Sequence, residues 1–174
     1  MNLQSDDFEL FGLPHQFAQD RAAIDTRWKE LQREAHPDRF AAQGAAAQRI
    51  AMQWSVRINE AYQRLKDPLR RAAYLCERHG APVNAENNTA MPAEFLVQQM
   101  HWRESLEEAV SVSEIEDLAA LLLSSEREAL QKCEQYLDVK HDYPAAVGQV
   151  RALMFMERFG EDVEARLEQM ENKV

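Results

Sequence analysis

The run from Asp20 to Ala35 restricts most strongly what this chain can become. Ile24, Trp28, Leu31 and Ala35 recur at intervals of four, three and four, one face of an α-helix. Asp20 is placed to cap its start. Pro37 must end it, because proline lacks an N–H to donate and pushes the residue before it out of the helical region. His36 and Asp38 therefore sit at the mouth of a loop, on either side of a fixed φ. The loop continues through Arg39, Phe40 and Gly44. A second run, Ala47 to Leu65, carries Ala47, Ala51, Trp54, Ile58, Ala61, Tyr62 and Leu65 on one stripe. Two such stripes face each other as an antiparallel helix pair, with Trp28 and Trp54 read as core. A polar tripeptide at the tip of that hairpin is presented for contact with something else.

Around the hairpin the punctuation is clear. Residues 7–13 place Phe8, Phe11 and Leu13 to pack on the following helices, and Pro14 breaks the run. Asp67-Pro68 stops the second helix. Leu69 to Arg78 reads as a short helix with Ala72, Ala73, Leu75 and Cys76 inward, and Gly80 as its C′ residue. Residues 81–91 have linker composition. Their Asn87-Asn88-Thr89 pattern is set aside as a glycosylation signal because the N-terminus has no secretory profile. Pro92 opens a helix bearing Phe95, Leu96, Met100, Trp102, Leu106, Ala109 and Val110. Ser113 with Glu116 forms a capping box ahead of Ile115, Leu118, Ala119, Leu122, Ala129, Cys133 and Leu137. Asp142-Tyr143-Pro144 starts a last helix with Val147, Val150, Met154, Phe155 and Phe159, and the stripe shifts at Gly160 to Val163, Leu167 and Met170. Three helices with short turns make a bundle. On the first of them two lines run side by side, Phe95–Gln99–Trp102–Leu106 and Leu96–Met100–Arg103. Two readings stand open: both lines are buried, or one serves the core while the other is an exposed partner row. The expected fold is all-α, with an N-terminal domain over 1–80, a linker over 81–91 and a three-helix bundle over 92–174.

Composition narrows the function. The net charge of −10 is uneven: residues 1–80 hold 12 Lys and Arg against 11 Asp and Glu, and residues 81–174 hold 8 against 19. Nucleic acid is thereby an unsuitable partner, whereas a basic protein surface suits the second half. No apolar run approaches a membrane span. Cys76 and Cys133 stand far apart with no Cys-x-x-Cys, as reduced thiols of a cytoplasmic protein do.

Over Asp7–Gly80 the chain resembles the J-domain family, the modules that activate DnaK-class chaperone ATPases. Phe8-Glu9-Leu10-Phe11-Gly12-Leu13 is similar to the family's first short helix and Asp20–Ala35 to its helix II. His36-Pro37-Asp38 matches its signature, Ala47–Leu65 its helix III, and Leu69–Tyr74 its helix IV. The wording His-Pro-Asp-Arg-Phe, the Leu-Phe-Gly-Leu start and the tail resemble most the J-type co-chaperones of bacterial iron–sulfur cluster assembly, over essentially the whole chain. The resemblance implies a co-chaperone with no turnover and no cofactor of its own. Its implied partners are a DnaK-like ATPase, HscA, and the cluster scaffold IscU. It also implies that His36, Pro37 and Asp38 dock on the ATPase, helped by Arg27, Lys29, Arg33 and Arg39. The segment Asp20–Arg39 departs from the family's basic face, since its five cations meet five carboxylates. The scaffold-facing positions fall at Leu96, Val97, Met100, His101, Glu104 and Glu108, with Phe155 on the last helix. Val97 stands where a longer side chain is expected and His101 where an acid is. A Gly/Phe-rich linker and a repeated Cys-x-x-Cys region do not occur, which fits a specialist for one client.

Three rivals are weighed against this. One is a J-type co-chaperone for another client. A thiol enzyme would pair Cys76 or Cys133 with His36, His79 or Asp38, but has no nucleophile elbow or phosphate loop. A metal site built from His36, His79, His101 or His141 would gather residues from different predicted elements.

Overall fold

The computed structural model describes residues 2–84 and 90–173. The Asn87-Asn88-Thr89 pattern and the middle of the expected linker lie outside the described residues. The chain divides into two compact units, Met1–Leu75 and Cys76–Val174. The division falls inside a helix, ahead of the Gly80 boundary read from the sequence. Among the described residues there is no strand.

In the first unit, α1 (Asp7–Phe11) starts at Asp6, whose carboxylate accepts from Glu9 N at 2.9 Å. It ends at Gly12, whose φ of 64° lies in the left-handed region that favours glycine. This helix is too short to stand alone, and burial holds it: Phe8, Leu10 and Phe11 are all at 1% exposure or less. Leu13 is only half-buried. Asp7 is fully buried and receives two bonds from the Arg64 guanidinium, at 2.6 and 2.9 Å, with Arg57 Nη1 at 2.8 Å. That double pairing is what makes a buried carboxylate tolerable.

Helix α2 (Arg21–Ala35) is capped by Asp20, as expected, and buries Ile24 and Leu31. Helix α3 (Ala45–Lys66) begins two residues before the predicted start and buries Ala51, Ile58, Ala61 and Leu65. The pair is antiparallel: Arg21 bonds the Lys66 carbonyl, Tyr62 bonds Asp25, Trp28 bonds Asn59 and Gln32 bonds the Ser55 carbonyl. Trp28 and Trp54, expected in the core, are half-buried. Trp28 lies flat on Tyr62 with centroids 4.6 Å apart and donates its indole N–H to Asn59 Oδ1 at 3.0 Å, so its polar edge reaches solvent. Helix α4 (Pro68–Arg78) follows. Its Arg71 is buried and donates to the Phe17 and Leu65 carbonyls. Its C-terminus closes as predicted at Gly80, with a φ of 75° and Ala81 N bonded to the Cys76 carbonyl.

The second unit is a bundle of α5 (Ala93–Glu108), α6 (Val112–Glu134) and α7 (Tyr143–Glu171). Gln98 meets Ser125 across α5 and α6, while Phe95 meets Phe155 and Trp102 meets Phe159 across α5 and α7. The helices therefore run up, down, up. The cap of α6 differs from expectation. Ser111, not Ser113, accepts from Glu114 N, and the Glu114 carboxylate reaches back to Val110 N at 2.7 Å. Val110 consequently lies outside α5 and is 83% exposed. Helix α6 runs straight into one π-helical turn, Gln135–Val139, which keeps Leu137 buried and is not marked by any residue in the sequence. His141 takes a left-handed φ of 50° to turn the chain, and Asp142 caps α7.

Candidate functional site

The site residues expected from the sequence fall on two surfaces. The first is the tip of the α2–α3 hairpin. His36 ends α2 with an extended backbone, and Pro37 then opens a 3-10 turn over Pro37–Gln43. Gly44, at φ 98°, closes that turn into α3. Asp38 N donates to His36 Nδ1 at 3.2 Å, so Nδ1 is the acceptor and the neutral ring carries its proton on Nε2. Both side chains face water, His36 at 57% and Asp38 at 91%, with His36 Nδ1 3.7 Å from the Asp38 carboxylate. The tip therefore offers a rigidly mounted carboxylate and a ring donor. Of the cations expected to assist, Lys29 and Arg33 are exposed on the side of α2 opposite Ile24 and Leu31. Arg39 is exposed and donates to the Arg33 carbonyl at 3.3 Å, tying the turn to the end of α2. Arg27 stands apart: it is half-buried on another side of the helix and pairs with Glu30 at 3.3 Å.

The second surface is the outer side of α5. The inner line is core, with Phe95 at 7% and Trp102 at 4% exposure. The outer line is not: Leu96, Val97 and Met100 are 46%, 57% and 64% exposed. Of the two readings of the double line, the exposed row is therefore the one realised. His101 and Glu104 sit beside it, 3.9 Å apart and both facing water, with Glu108 exposed one turn further on. Phe155 does not join this surface as an exposed residue. It is 8% exposed, edge-on to Phe95 at 5.7 Å, and the Arg103 guanidinium covers its ring at 5.2 Å. It meets the row only as the floor of a cleft of about 720 Å3 that Leu96, Gln99 and Arg103 also line. The burial of Phe155 agrees with its place on the apolar stripe of the last helix, whereas the role of Arg103 is not visible in the sequence pattern.

The groups of the rival readings are placed elsewhere. Cys76 and Cys133 are free and buried; burial pushes their thiols up to about 11 and about 12. At neutral pH they stay protonated, the form that does not attack. His79 stacks on Tyr143 at 4.1 Å and His141 Nδ1 lies 3.4 Å from the same hydroxyl. Among the described residues, the one His and carboxylate group close enough to hold an ion is Asp6, Glu9 and His15, which sequence reasoning did not single out. There the Asp6 carboxylate is already engaged by His15 Nε2 at 2.8 Å and by Glu9 N.

Comparison with known proteins points to one family for the whole chain. The model of the HSCB C-terminal oligomerisation domain matches residues 91–164. The chain is 49% identical to the co-chaperone protein HscB homolog of Burkholderia multivorans, over 98% of this chain and 99% of that one. It is likewise 49% identical to that of Burkholderia thailandensis, over 99% of each. Among solved structures it resembles chaperone HscB from Vibrio cholerae, with a TM-score of 0.80 at 33% identity over 95% of this chain and 99% of that one. It shares the fold of human co-chaperone protein HscB, with a TM-score of 0.88 at 23% identity over 95% and 84%. The all-α architecture is thus a J-domain followed by a C-terminal helical bundle, and the relatives are named as co-chaperones. The chain belongs to the HscB co-chaperone family.

Proposed function

We propose that this protein is a cytoplasmic co-chaperone that binds the iron–sulfur scaffold IscU, delivers it to the DnaK-like chaperone HscA and stimulates ATP hydrolysis by HscA. The observation that carries the reading is the tip of the hairpin: His36 and Asp38 are both open to solvent while the chain under them is held by Pro37 and by two hydrogen bonds, Asp38 N to the His36 ring at Nδ1 and Arg39 N to the His36 carbonyl. A pre-ordered loop loses little entropy on docking. Asp38 pairs with a cation of the ATPase, best an arginine, and His36 donates from Nε2. Arg27, Lys29, Arg33 and Arg39 assist, with Lys29, Arg33 and Arg39 exposed and Arg27 half-buried. The loop can drive hydrolysis only by binding one conformation of the ATPase better than the other.

The J-domain in this reading spans 1–80, the linker 81–91 and the scaffold-binding bundle 92–174. IscU covers Leu96, Val97 and Met100 and meets Glu104, Glu108 and His101 at the rim, with Phe155 supporting the row from beneath. An apolar centre ringed by charge is the usual anatomy of a protein interface. The protein turns over no substrate, needs no cofactor and takes neither nucleic acid nor membrane as partner.

The test is steady-state hydrolysis by HscA with this protein and IscU added singly and together. Synergy is expected. His36→Gln abolishes the stimulation and leaves the Kd for IscU unchanged. Stimulation with no gain from IscU would leave a co-chaperone for another client, and no stimulation would remove the docking role of the tip.

A further inference from the structure

Beside the tip lies an apolar cleft of about 400 Å3. Ala35 closes α2 on one side, Phe40 stands on the 3-10 turn, and Ala47, Ile50 and Trp54 line it from α3. The cleft is open because the seven-residue turn Pro37–Gln43 spreads the ends of the two helices, and the residues that face the gap there, Ala35 and Ala47, are too small to fill it. The protein itself does not cover it: Ile50 is 56% exposed and Trp54 and Phe40 are half-buried. Such an opening is costly in water and pays only when something fills it.

We infer that this cleft is a second contact of the chaperone ATPase, one that takes an aliphatic side chain carried next to a cationic residue. The inference rests on the docking role of the tip given above. The occupant follows from continuity and charge. The same 3-10 turn that carries Asp38 carries Phe40 and Gln43 into the cleft wall, so a partner seated on Asp38 already lies over the opening. The one charged residue that lines the cleft is a carboxylate, Glu34, and the neighbouring tip carries the Asp38 carboxylate, 91% exposed. A segment that is basic beside its apolar residue satisfies both, whereas the acidic C-terminal half of a second copy meets carboxylates with carboxylates. The room suits one or two aliphatic side chains. Asp38 supplies orientation and the cleft supplies holding: the polar tip selects the ATPase conformation, and apolar burial slows release.

The test measures ATPase stimulation by HscA as a function of the concentration of this protein, for wild type, Ile50→Asp, Glu34→Lys and His36→Gln. Ile50 is exposed, so Ile50→Asp keeps the melting temperature, and Glu34→Lys leaves every apolar wall in place. For Ile50→Asp the half-maximal concentration rises about tenfold, the equivalent of one well-buried aliphatic contact, and maximal stimulation is retained. Glu34→Lys shifts it in the same direction by less. An unchanged half-maximal concentration in Ile50→Asp, with stimulation abolished in His36→Gln, overturns the cleft and leaves the tip. Full stimulation in His36→Gln removes the docking reading and the cleft with it. Sedimentation of the protein alone decides the remaining occupant: a dimer that Ile50→Asp dissociates assigns the cleft to a second copy and overturns the inference.

Discussion

Asp7 is a charge kept from water by the residues that neutralise it. Its carboxylate is 0% exposed, and Arg64 and Arg57 converge on it from α3 while its backbone N–H is held by the Tyr74 hydroxyl. Removing one partner of such a group leaves the others stranded. Asp7→Ala should cost about 3–5 kcal/mol in urea unfolding, with the transition moved and its slope kept. Nothing in the sequence marks Asp7 above Asp6, its neighbour and the true cap of α1. Only the meeting of α1 with α3 separates a solvated acid from a buried one. The thiols allow a second test at this scale. Burial raises Cys76 from 9.0 to about 11 and Cys133 from 9.0 to about 12. The unfolded chain therefore gives up these protons at a lower pH than the native one does. Stability is undiminished below pH 9, falls as pH rises through the interval up to 11 and 12, and levels above it. Urea melts at stepped alkaline pH should show that decline, and Cys133→Ala should flatten its upper part. Native thiols should be inert to alkylation at neutral pH.

Among the elements, most of what positions the two surfaces was legible. Asp20, Pro37, Pro68, Gly80 and Asp142 stop or start helices through local chemistry, and each does so where that chemistry places it. The start of α6 shows where local chemistry becomes ambiguous. Ser111 with Glu114 and Ser113 with Glu116 are two capping boxes offset by two residues. Either satisfies the same rule, and what selects the first is burial of Ile115, at 0% exposure, and Leu118, at 4%, against the bundle. Ser111→Ala should therefore cost about 1 kcal/mol and Ser113→Ala almost nothing, read from paired thermal melts. The π turn Gln135–Val139 and the half-buried state of Trp28 and Trp54 were not legible for a related reason. The first inserts a residue into a register that period alone cannot count. The second depends, for Trp28, on a polar partner, Asn59, from another helix, and for Trp54 on the open cleft that it lines. The double line on α5 had two readings because helical spacing says which residues share a side but not whether a neighbour covers them. Phe95 and Trp102 are covered by α7, whereas Leu96 and Met100 are left 46% and 64% exposed.

On the scale of the molecule, charge is unevenly divided. Cations and carboxylates balance along Asp20–Arg39, whereas residues 81–174 hold 8 Lys and Arg against 19 Asp and Glu. Exposed charge is screened by salt, and the effect grows with its imbalance. Raising ionic strength should weaken binding of IscU more steeply than it raises the concentration of this protein needed for half-maximal stimulation of HscA. Isothermal titration and hydrolysis assays over the same salt series measure the two slopes. Equal slopes would mean that the acidity of the second half serves solubility alone. The separation has a further consequence, which follows from Phe155. That ring lies in the aromatic floor with Phe95, Trp102 and Phe159, while Leu96, Val97 and Met100 form an exposed row on the outer side of α5, of which Leu96 shares a cleft with the ring. Under the proposed function, changes in the exposed row alter which client is bound without touching what holds the bundle together, whereas changes in the floor alter both at once. A descendant acquiring a different client could therefore rewrite three neighbouring positions on one helix by single, individually viable steps, on a foundation that has to be inherited whole.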